Sequence, residues 1–499
     1  MVNIPEGITK IEIQQNEQSN DERETQAQCL IKLTKNIELF HTPEKEAYAR
    51  FSLNGHLETW ALRGKDFRLW LTKRFFEIQA KPPGGQALAD TLNVLEARAL
   101  FEGETQNVYI RIAETDNAIY IDLCNQEWEV VKITIDGWEI VKNPPVRFKR
   151  SSVNKEMPRP TKGGAIEELK PLINYQSEAD WKLIISWLIA ALRPGSPYPI
   201  LTIQGEQGSA KSTTTKVLRA LVDPSTMPLR ALPKDERDLS IAASNTWILA
   251  FDNLSGLSNT MSDALCKLST GGGLSTRKLY SDNEEAIFNV MRPSILNGID
   301  DIAKRQDLLD RSLVIFLPSI PEEKREDEKT FWAEFRAVQP RILGAFFDVV
   351  SGAMKELPNV KLRERPRMAD FALWITASEQ ALGWESGSFM DVYNRNRNEA
   401  IEQGLDSDPV GMAVLLFMKD RSLWEGTTSE TLNQLERYLQ DEQVKKSKAW
   451  TSANKLKQRL RRIASALRSK GIVFTELKRS SRGGMLKLEK VKKEPAQPS

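Results

Sequence analysis

The chain has 499 residues, of which 40% are apolar and 28% charged, and its formal net charge is +2. This length exceeds that of a typical single domain, and the composition excludes a fibrous or wholly disordered protein. The charge is uneven, because residues 445–493 contain 17 Lys or Arg and two acidic residues, a net +15 that leaves −13 for the rest. A basic end on an acidic body predicts a polyanionic partner.

Cysteine and histidine usage argues against a structural metal or a disulfide framework. Cys29, Cys124 and Cys266 lie far apart without C-x-x-C spacing, and there are only two histidines. No signal peptide begins the chain, and the longest apolar run, 183–192, is too short to span a bilayer. We expect a soluble cytoplasmic protein with no membrane partner, and a buried helix at 183–192 preceded by a capping box at 177–180.

The N-terminal third contains no motif that we can attach to chemistry. Residues 1–25 are polar and predict a disordered tail. Helical stretches near 65–78 and 86–101 precede several alternating apolar segments, which predicts a small α+β domain of unknown role over 26–150. A Pro-rich, basic segment then predicts a linker at 151–168. Four tryptophans are assigned to core packing rather than to base stacking: Trp60, Trp70, Trp128 and Trp138.

The segment GEQGSAKS at 205–212 differs in one residue from the phosphate-loop pattern G-x-x-x-x-G-K-[ST], because Ala210 stands where the pattern has glycine. An apolar strand precedes it and a helix follows, so that backbone N–H groups and a helix N-terminus converge on an anion. Lys211 is expected to reach the β- and γ-phosphates and Ser212 to bind Mg²⁺. Ala210 is harmless if its φ is negative and harmful if φ is positive. The predicted ATP-binding residues are Gly205, Glu206, Gln207, Gly208, Ser209, Ala210, Lys211, Ser212 and Thr213.

Four further features follow within about 110 residues of the loop. The apolar strand TWILAFDN carries Asp252, a second candidate magnesium ligand. A basic hairpin, TRKLYSDNEEAIF, is predicted with Arg277, Lys278 and Tyr280 near its tip. The strand RPSIL ends at Asn297, and the strand RSLVIFLP begins at Arg311. The order of these features resembles that of the superfamily 3 helicases, which include the papillomavirus and parvovirus replicative helicases, the poxvirus primase-helicase and related plasmid and phage ATPases.

The resemblance implies an AAA+ ATPase core that assembles as a homo-oligomeric ring, expected to be a hexamer, with ATP sites between subunits. It implies that Asn297 orients the attacking water, that Arg311 acts across the interface, and that Lys278, with Arg277, holds single-stranded DNA in the channel. The alternatives are a solvated hairpin tip for Arg277 and Lys278, and an ordinary ion pair for Arg311. Together Lys211, Asp252, Asn297 and Arg311 form the implied catalytic set.

One departure from that family affects the expected rate of hydrolysis. Asn253 follows Asp252 where the family often has a second acid, and asparagine cannot take up a proton. Glu206 or Glu236 could substitute as the general base, and hydrolysis is otherwise expected to be slow. No D-x-D and His constellation occurs in residues 1–165, so a primase activity would have to come from a separate protein.

The C-terminal segment predicts a winged helix, with a helix near 455–468 followed by two strands around a Gly-Gly turn. Its cations Lys455, Arg459 and Arg462 lie off the apolar stripe and are candidate duplex-DNA contacts, although a solvated basic helix is the alternative. The predicted fold class is α/β, with the AAA+ phosphate-loop core between the N-terminal α+β domain and the winged helix. The predicted boundaries are 1–25, 26–150, 151–168, 169–330, 331–407 (helical), 408–493 (winged helix) and 494–499.

Two functions fit these patterns. The first is an ATP-dependent DNA helicase or translocase that replicates a mobile element such as a phage, plasmid or genomic island. The second is a DNA-binding ATP switch, loader or defence assembly that unwinds little or nothing, which Asn253 favours. Both require ATP and Mg²⁺.

Overall fold

A computed structural model describes residues 24–491 except 116, 273, 278–284, 289, 299–301, 303–304, 407, 440–449 and 479–483. Within this range, residues 24–53 and 58–107 form one compact unit, and residues 54–57 with 108–491 form a second. Nearly all of the predicted N-terminal tail and all of the predicted C-terminal tail lie outside the described residues. None of the described helices has both the length and the apolarity needed to cross a membrane.

The first unit combines three helices with a three-stranded sheet of order β1-β2-β3. Its elements are α1 (Gln26–Leu33), β1 (Glu38–His41), β2 (Ala47–Leu53), β3 (His56–Ala61), α2 (Lys65–Gln79) and α3 (Gly85–Phe101). The two helices predicted near 65–78 and 86–101 are therefore confirmed. Trp60 and Trp70 pack against Phe51 at ring-centroid distances of 5.2 and 4.5 Å, as predicted for core aromatics.

The second unit begins with short strands, four of which form an antiparallel sheet of order β5-β6-β7-β8. They are β4 (Val108–Tyr109), β5 (Ile112–Thr115), β6 (Ala118–Asp122), β7 (Val130–Thr134), β8 (Gly137–Val141) and β9 (Arg147–Phe148). This sheet packs on a long helix, α9 (Glu328–Glu356): Trp138 Nε1 donates to Asp348 at 2.9 Å, and Ser351 Oγ to the Thr134 carbonyl at 2.6 Å. The first unit thus ends at Asn107, and not at 150 as predicted, because these strands bury their apolar face against a distant helix.

The segment predicted as a linker, 151–168, is instead packed along the second unit. Met157 and Ile166 are buried in its main core. Arg159 forms a two-pronged ion pair with Glu129, with N–O distances of 2.6 and 2.7 Å. A Pro-rich, basic composition is typical of a linker, but here Glu129 neutralises Arg159 and apolar residues of the segment are buried. Trp128 lies beneath the Arg150 guanidinium, 3.8 Å from the ring centroid.

A four-stranded parallel sheet of order β11-β14-β10-β15 forms the centre of the second unit. Helices cover both faces, as a parallel sheet requires. The elements before α9 are a 3₁₀ helix (Ile166–Leu172), α4 (Glu178–Ala191), β10 (Ile200–Gly205), α5 (Lys211–Val222), α6 (Glu236–Ala243), β11 (Leu249–Leu254), α7 (Asn259–Thr270), β12 (Leu274–Arg277), β13 (Glu285–Phe288), β14 (Ser294–Gly298), α8 (Gln306–Leu309), β15 (Ser312–Leu317) and a 3₁₀ turn (Glu322–Lys324). The buried helix expected at 183–192 is α4, which Ser177 caps by accepting from the Asp180 N–H.

The remaining elements form a helical region and a C-terminal subdomain. After α9 come a 3₁₀ turn (Leu357–Asn359), α10 (Ala369–Ser378), α11 (Ser388–Asp406), α12 (Pro409–Met418), β16 (Leu423–Thr427), α13 (Thr428–Glu436), α14 (Ala453–Ser469), β17 (Ile472–Glu476) and β18 (Met485–Lys490). The two predicted terminal strands pair antiparallel, and β16, which the sequence did not predict, completes the sheet β16-β18-β17. Ile401 and Leu405 of α11 belong to the core of this subdomain, so the two regions share a hydrophobic cluster.

Candidate nucleotide-binding site

The loop between β10 and α5 turns through two glycines with positive φ. Gly205 has φ of 154° and Gly208 φ of 85°, values that glycine adopts readily. A Cβ added at Gly205 would lie 2.5 Å from the Leu317 carbonyl oxygen, so no side chain fits there. The chain then enters α5 at Lys211, and the helix N-terminus faces the loop.

Ala210 occupies the left-handed region, with φ 60° and ψ 27°, immediately before α5. This is the harmful of the two alternatives left open by the sequence, because a Cβ in this conformation costs roughly 1–2 kcal/mol. The pattern has glycine at this position for the same reason. The backbone at Ala210 therefore has a conformation that suits glycine, and the methyl group of Ala210 strains it.

Replacing Ala210 with glycine should raise the free energy of unfolding by about 0.5–1 kcal/mol, since relief of strain exceeds the entropy that glycine adds to the unfolded chain. Urea titration monitored by circular dichroism measures this. The matched control is Ala220→Gly inside the same helix, which should lower stability by about 1 kcal/mol. Destabilisation by both substitutions would mean that the left-handed backbone at 210 is not strained.

Lys211 and Ser212 both make polar contacts at the start of α5. The Lys211 ammonium donates to the carbonyl oxygens of Gly205 and Glu206, both at 2.7 Å. Burial lowers the pKa of Lys211, while nearby Asp252 acts in the opposite direction. Ser212 Oγ donates to both Asp252 carboxylate oxygens, at 3.0 and 3.2 Å. The structure therefore brings Lys211, Ser212 and Asp252 together, as the motifs predict, although Ser212 and Asp252 are 40 positions apart in sequence.

A bulge at the end of β11 positions Asp252. The register with β14 shifts between Phe251 and Leu254, and Asn253 adopts φ of 57°. Asparagine tolerates this left-handed conformation better than most residues, which gives Asn253 a backbone role. Its N–H donates to Asn297 Oδ1 at 3.0 Å. The predicted family departure at 253 thus coincides with a turn that aims the preceding carboxylate at Ser212.

Asn297 is fully buried, and its amide links three elements. Its oxygen accepts from Asn253 on β11, and its Nδ2 donates to Thr215 Oγ1 on α5 at 3.0 Å. The side chain lies beside Asp252, as expected for the end of the neighbouring parallel strand. Both ends of the amide are used in joining β14, β11 and α5, so Asn297 fixes the relative position of the two candidate magnesium ligands.

The donor set beside the loop fits Mg²⁺. A hydroxyl and one carboxylate are hard oxygen ligands, and Mg²⁺ bound with a nucleotide commonly takes one or two protein ligands, with phosphates and water completing the octahedron. Within the part of the chain that the structure describes, no cluster of three or more His, Cys, Asp or Glu could hold a metal by itself. Ser212 and Asp252 would thus hold the ion only together with the phosphates of a nucleotide.

Arg311 lies at the amino end of the parallel strand β15, whereas the loop lies at the carboxyl ends of the strands. Ser312, the next residue, pairs with Ile200 at the start of β10, whereas Gly205 at its end pairs with Leu317. Six residues of parallel strand separate the two ends by roughly 20 Å. Arg311 Nη1 donates to the Asp307 carbonyl at 2.7 Å, and its buried Nε has no partner among the described residues. Arg311 cannot reach the phosphate loop of its own chain.

Neither of the two acids proposed to replace the missing general base contacts Asp252 in the described structure. The Glu206 carboxylate accepts from Ser319 Oγ at 3.0 Å, and Glu236 pairs with Lys267 at 3.6 Å.

Two cavities lie near the loop. One, of about 420 Å³, is lined by Gln204, Phe316, Asp180 and residues of α11 including Asn396. The other, of about 580 Å³, is open and adjoins Asp252.

Two residues that the sequence did not single out support the loop. Asn174 Nδ2 donates to the Ser209 carbonyl at 3.0 Å and to that of Pro318 at 2.7 Å. Asp223, fully buried at the end of α5, accepts from the backbone N–H groups of Trp247 and Ile248 and from Arg111 Nε, each at 3.1 Å. These contacts tie α5 to the strand that carries Asp252. No local motif signals them, because each joins residues far apart in sequence.

The predicted DNA contacts are described only in part. Strands β12 and β13 pair antiparallel, which confirms the hairpin, but Lys278 and Tyr280 lie outside the described residues and Arg277 is described only as the last residue of β12. On α14, Lys455 and Arg462 are exposed. Arg459, in contrast, forms an ion pair with Asp408 at 2.7 Å. This pair stabilises the start of α12 and partly neutralises the positive charge of Arg459.

Family models match two parts of the chain. Residues 166–394 match the Actinomycete integrative conjugative element replication protein, and residues 410–499 match the AICE RepA C-terminal domain. Over about two thirds of its length the chain is thus similar to replication proteins of a mobile genetic element. No curated protein matches it.

Similar solved structures include two apo structures of the NrS-1 C terminal region, each 14% identical to this chain. The match to the first structure covers 93% of this chain and 99% of that structure's chain, with a TM-score of 0.37. The match to the second covers 94% of this chain and 100% of that structure's chain, with a TM-score of 0.38. Scores this low do not establish a common fold.

Proposed function

We propose, from the match to conjugative-element replication proteins, that this chain is an ATP-driven DNA helicase or translocase that replicates such an element. The observation that carries the proposal is the contact between Ser212 and the Asp252 carboxylate beside Lys211. A hydroxyl at the start of α5 and an acid at the end of β11 are the magnesium ligands of phosphoryl-transfer ATPases that use a phosphate loop.

The sheet supports an AAA+ core. Its order is β15-β10-β14-β11, and Arg230 adds a parallel bridge to Phe251 at the outer edge of β11. The strand that leads into the phosphate loop is thus central, and the Asp252 and Asn297 strands lie to one side of it. A parallel sheet with the phosphate-loop strand at its centre supports the AAA+ core that the resemblance to superfamily 3 helicases implies.

In this proposal ATP lies across the carboxyl ends of β10, β11 and β14. Backbone N–H groups of the loop and Lys211 bind the phosphates, and Ser212 and Asp252 hold Mg²⁺, which neutralises charge on the transferred phosphate. The cavity of about 420 Å³ starts at Gln204, the residue before the loop, and is suited to the base and ribose. In this proposal Asn297 positions the Asp252 turn, and its remaining hydrogen-bonding capacity orients the attacking water.

We further propose two DNA contacts of different kinds. The β12–β13 hairpin, with Arg277, Lys278 and Tyr280, would grip single-stranded DNA in the channel of a hexameric ring. In the subdomain at 408–493, β16 separates α12 from α13, and β17 and β18 follow α14. This subdomain would act as a winged helix on duplex DNA, with Lys455 and Arg462 on the exposed side of α14. Priming would be supplied by a separate protein.

Neutralising the exposed cations of α14 should weaken duplex binding and its salt dependence. For Lys455→Gln, Arg462→Gln and Arg468→Gln combined, the slope of log K against log salt should fall by up to about three units, one for each lost phosphate contact. Fluorescence anisotropy across a salt titration measures the slope. The matched control neutralises Lys361, Arg363 and Arg365, which are exposed outside this subdomain. Equal slopes for the two triple variants would remove the DNA role of α14.

A second function, an ATP switch that assembles on DNA with little hydrolysis, is favoured by Asn253. The two candidate replacements for the second acid have other partners, since Glu206 accepts from Ser319 and Glu236 pairs with Lys267. A forked duplex separates the two hypotheses. Strand displacement that requires ATP supports the helicase, whereas ATP-dependent assembly on the fork without displacement supports the switch. An absence of both would contradict the proposed function.

A further inference from the structure

The segment that follows β15, residues 318–325, lies against the phosphate loop, and we call it the strap. Ile320 N–H donates to the Gly208 carbonyl at 3.2 Å, and Ser319 Oγ donates to Glu206 Oε2 at 3.0 Å. Asn174 joins the two segments from the other side through Pro318 and Ser209. The strap is thus held to the loop at several points, which places its side chains beside any anion that the loop binds.

Arg325 ends the strap, and its guanidinium lies over the loop. Its Nη2 is 3.0 Å from the point that a Cβ on Gly208 would occupy, so the absence of a side chain at Gly208 leaves room for this approach. Nε donates to the Ile320 carbonyl at 3.3 Å, which fixes the base of the guanidinium without using the Nη2 end.

The existing partner of Arg325 is weak. Nη1 lies 3.6 Å from Glu322 Oε1, the Arg325 side chain is 51% exposed, and that of Glu322 is 88% exposed. Exposed pairs of this kind contribute between zero and about 1 kcal/mol, so a phosphate displaces the carboxylate at little cost. Partial exposure also means that little desolvation opposes the positive charge.

We propose that Arg325 is a phosphate-binding residue of the nucleotide site, acting in the same chain as the loop. The inference rests on the proposed function, because it assumes that residues 205–212 hold a nucleotide. Arginine presents a rigid fork of N–H donors that matches phosphate oxygens, which a single lysine does not. Lys211 from the loop and Arg325 from the strap would then neutralise the polyphosphate from two sides.

A ground-state phosphate contact has a distinct kinetic signature. It contributes equally to substrate and transition state, so its loss raises KM and leaves kcat nearly unchanged. A merely structural role for Arg325, holding the strap, would instead lower thermal stability without nucleotide and leave affinity intact. Loss of a phosphate contact therefore changes KM and nucleotide affinity, whereas loss of a structural contact changes the melting temperature.

The experiment titrates the full chain with ribose-labelled fluorescent ATP, ADP and AMP. Arg325→Ala should weaken ATP and ADP binding roughly tenfold and raise KM similarly, as expected for loss of a charge-assisted hydrogen bond at a half-exposed site. Arg325→Lys should recover part of the affinity. Arg336→Ala, an exposed arginine on α9, is the matched control and should bind as the wild type does.

The outcomes separate this inference from the proposed function. If the Lys211→Ala variant loses nucleotide binding and Arg325→Ala binds ATP as tightly as the wild type, Arg325 is not a phosphate ligand although the site is real. If Arg325→Ala lowers the melting temperature without nucleotide and keeps its affinity, the strap role alone remains and the inference is wrong. If the wild type binds none of the three nucleotides, the proposed function itself fails.

Discussion

Replacing Lys211 with alanine should abolish ATP turnover, with kcat falling by roughly two orders of magnitude or more. The ammonium is the cation carried by the loop itself. It donates to the Gly205 and Glu206 carbonyls in this structure and would turn to the β- and γ-phosphates of a bound nucleotide. Its positive charge would act where negative charge develops on the transferred phosphate. Phosphate release under saturating ATP and Mg²⁺ measures the effect.

The matched control for this substitution is Lys216→Ala. Lys216 lies on the same helix and forms a half-exposed pair with Glu328 at 3.5 Å, away from the loop. Both variants should keep their free energy of unfolding within about 1 kcal/mol, because both side chains are only partly buried. Equal turnover in Lys211→Ala and wild type would show that residues 205–212 are not the nucleotide site.

Local pattern was enough to predict the elements around the loop. An apolar run with a cap at Ser177 predicted α4, and short apolar runs that end at Gly205 and Asp252 predicted two strands of the parallel sheet. Parallel strands bring their carboxyl ends to one edge, so the proximity of Ser212 and Asp252 followed from topology. The sequence also showed that backbone strain at Ala210 depends on the sign of its φ, and only that sign had to come from the structure.

Other features depend on contacts that no window of sequence contains. The first unit ends at Asn107 because the following strands bury their face on α9, more than 200 residues later. Residues 151–168 look like a linker until Glu129 is placed beside Arg159. Arg459 stays a predicted DNA contact, and its ion pair with Asp408 could not be predicted from the sequence. Whether a charge is free or neutralised is a property of the folded chain.

Arg311 offers the test of whether the ATP sites lie between subunits. It lies at the edge of the sheet opposite its own loop, roughly 20 Å away by the length of β15. In a closed ring with head-to-tail interfaces, that edge of one subunit can face the loop of the next. Arg311→Ala alone should therefore lose turnover about as severely as Lys211→Ala, while binding ATP normally.

Mixing the two inactive variants should restore part of the activity. With equal amounts and random assembly, about a quarter of the interfaces join an intact loop to an intact Arg311, so turnover should approach about a quarter of the wild-type value. The control mixes Lys211→Ala with the double variant Lys211→Ala, Arg311→Ala, in which no interface has an intact loop and no recovery is expected. Native mass spectrometry establishes that mixed oligomers form. If they form and the first mixture stays inactive, Arg311 does not act across an interface, and its hydrogen bond to the Asp307 carbonyl is then its structural role.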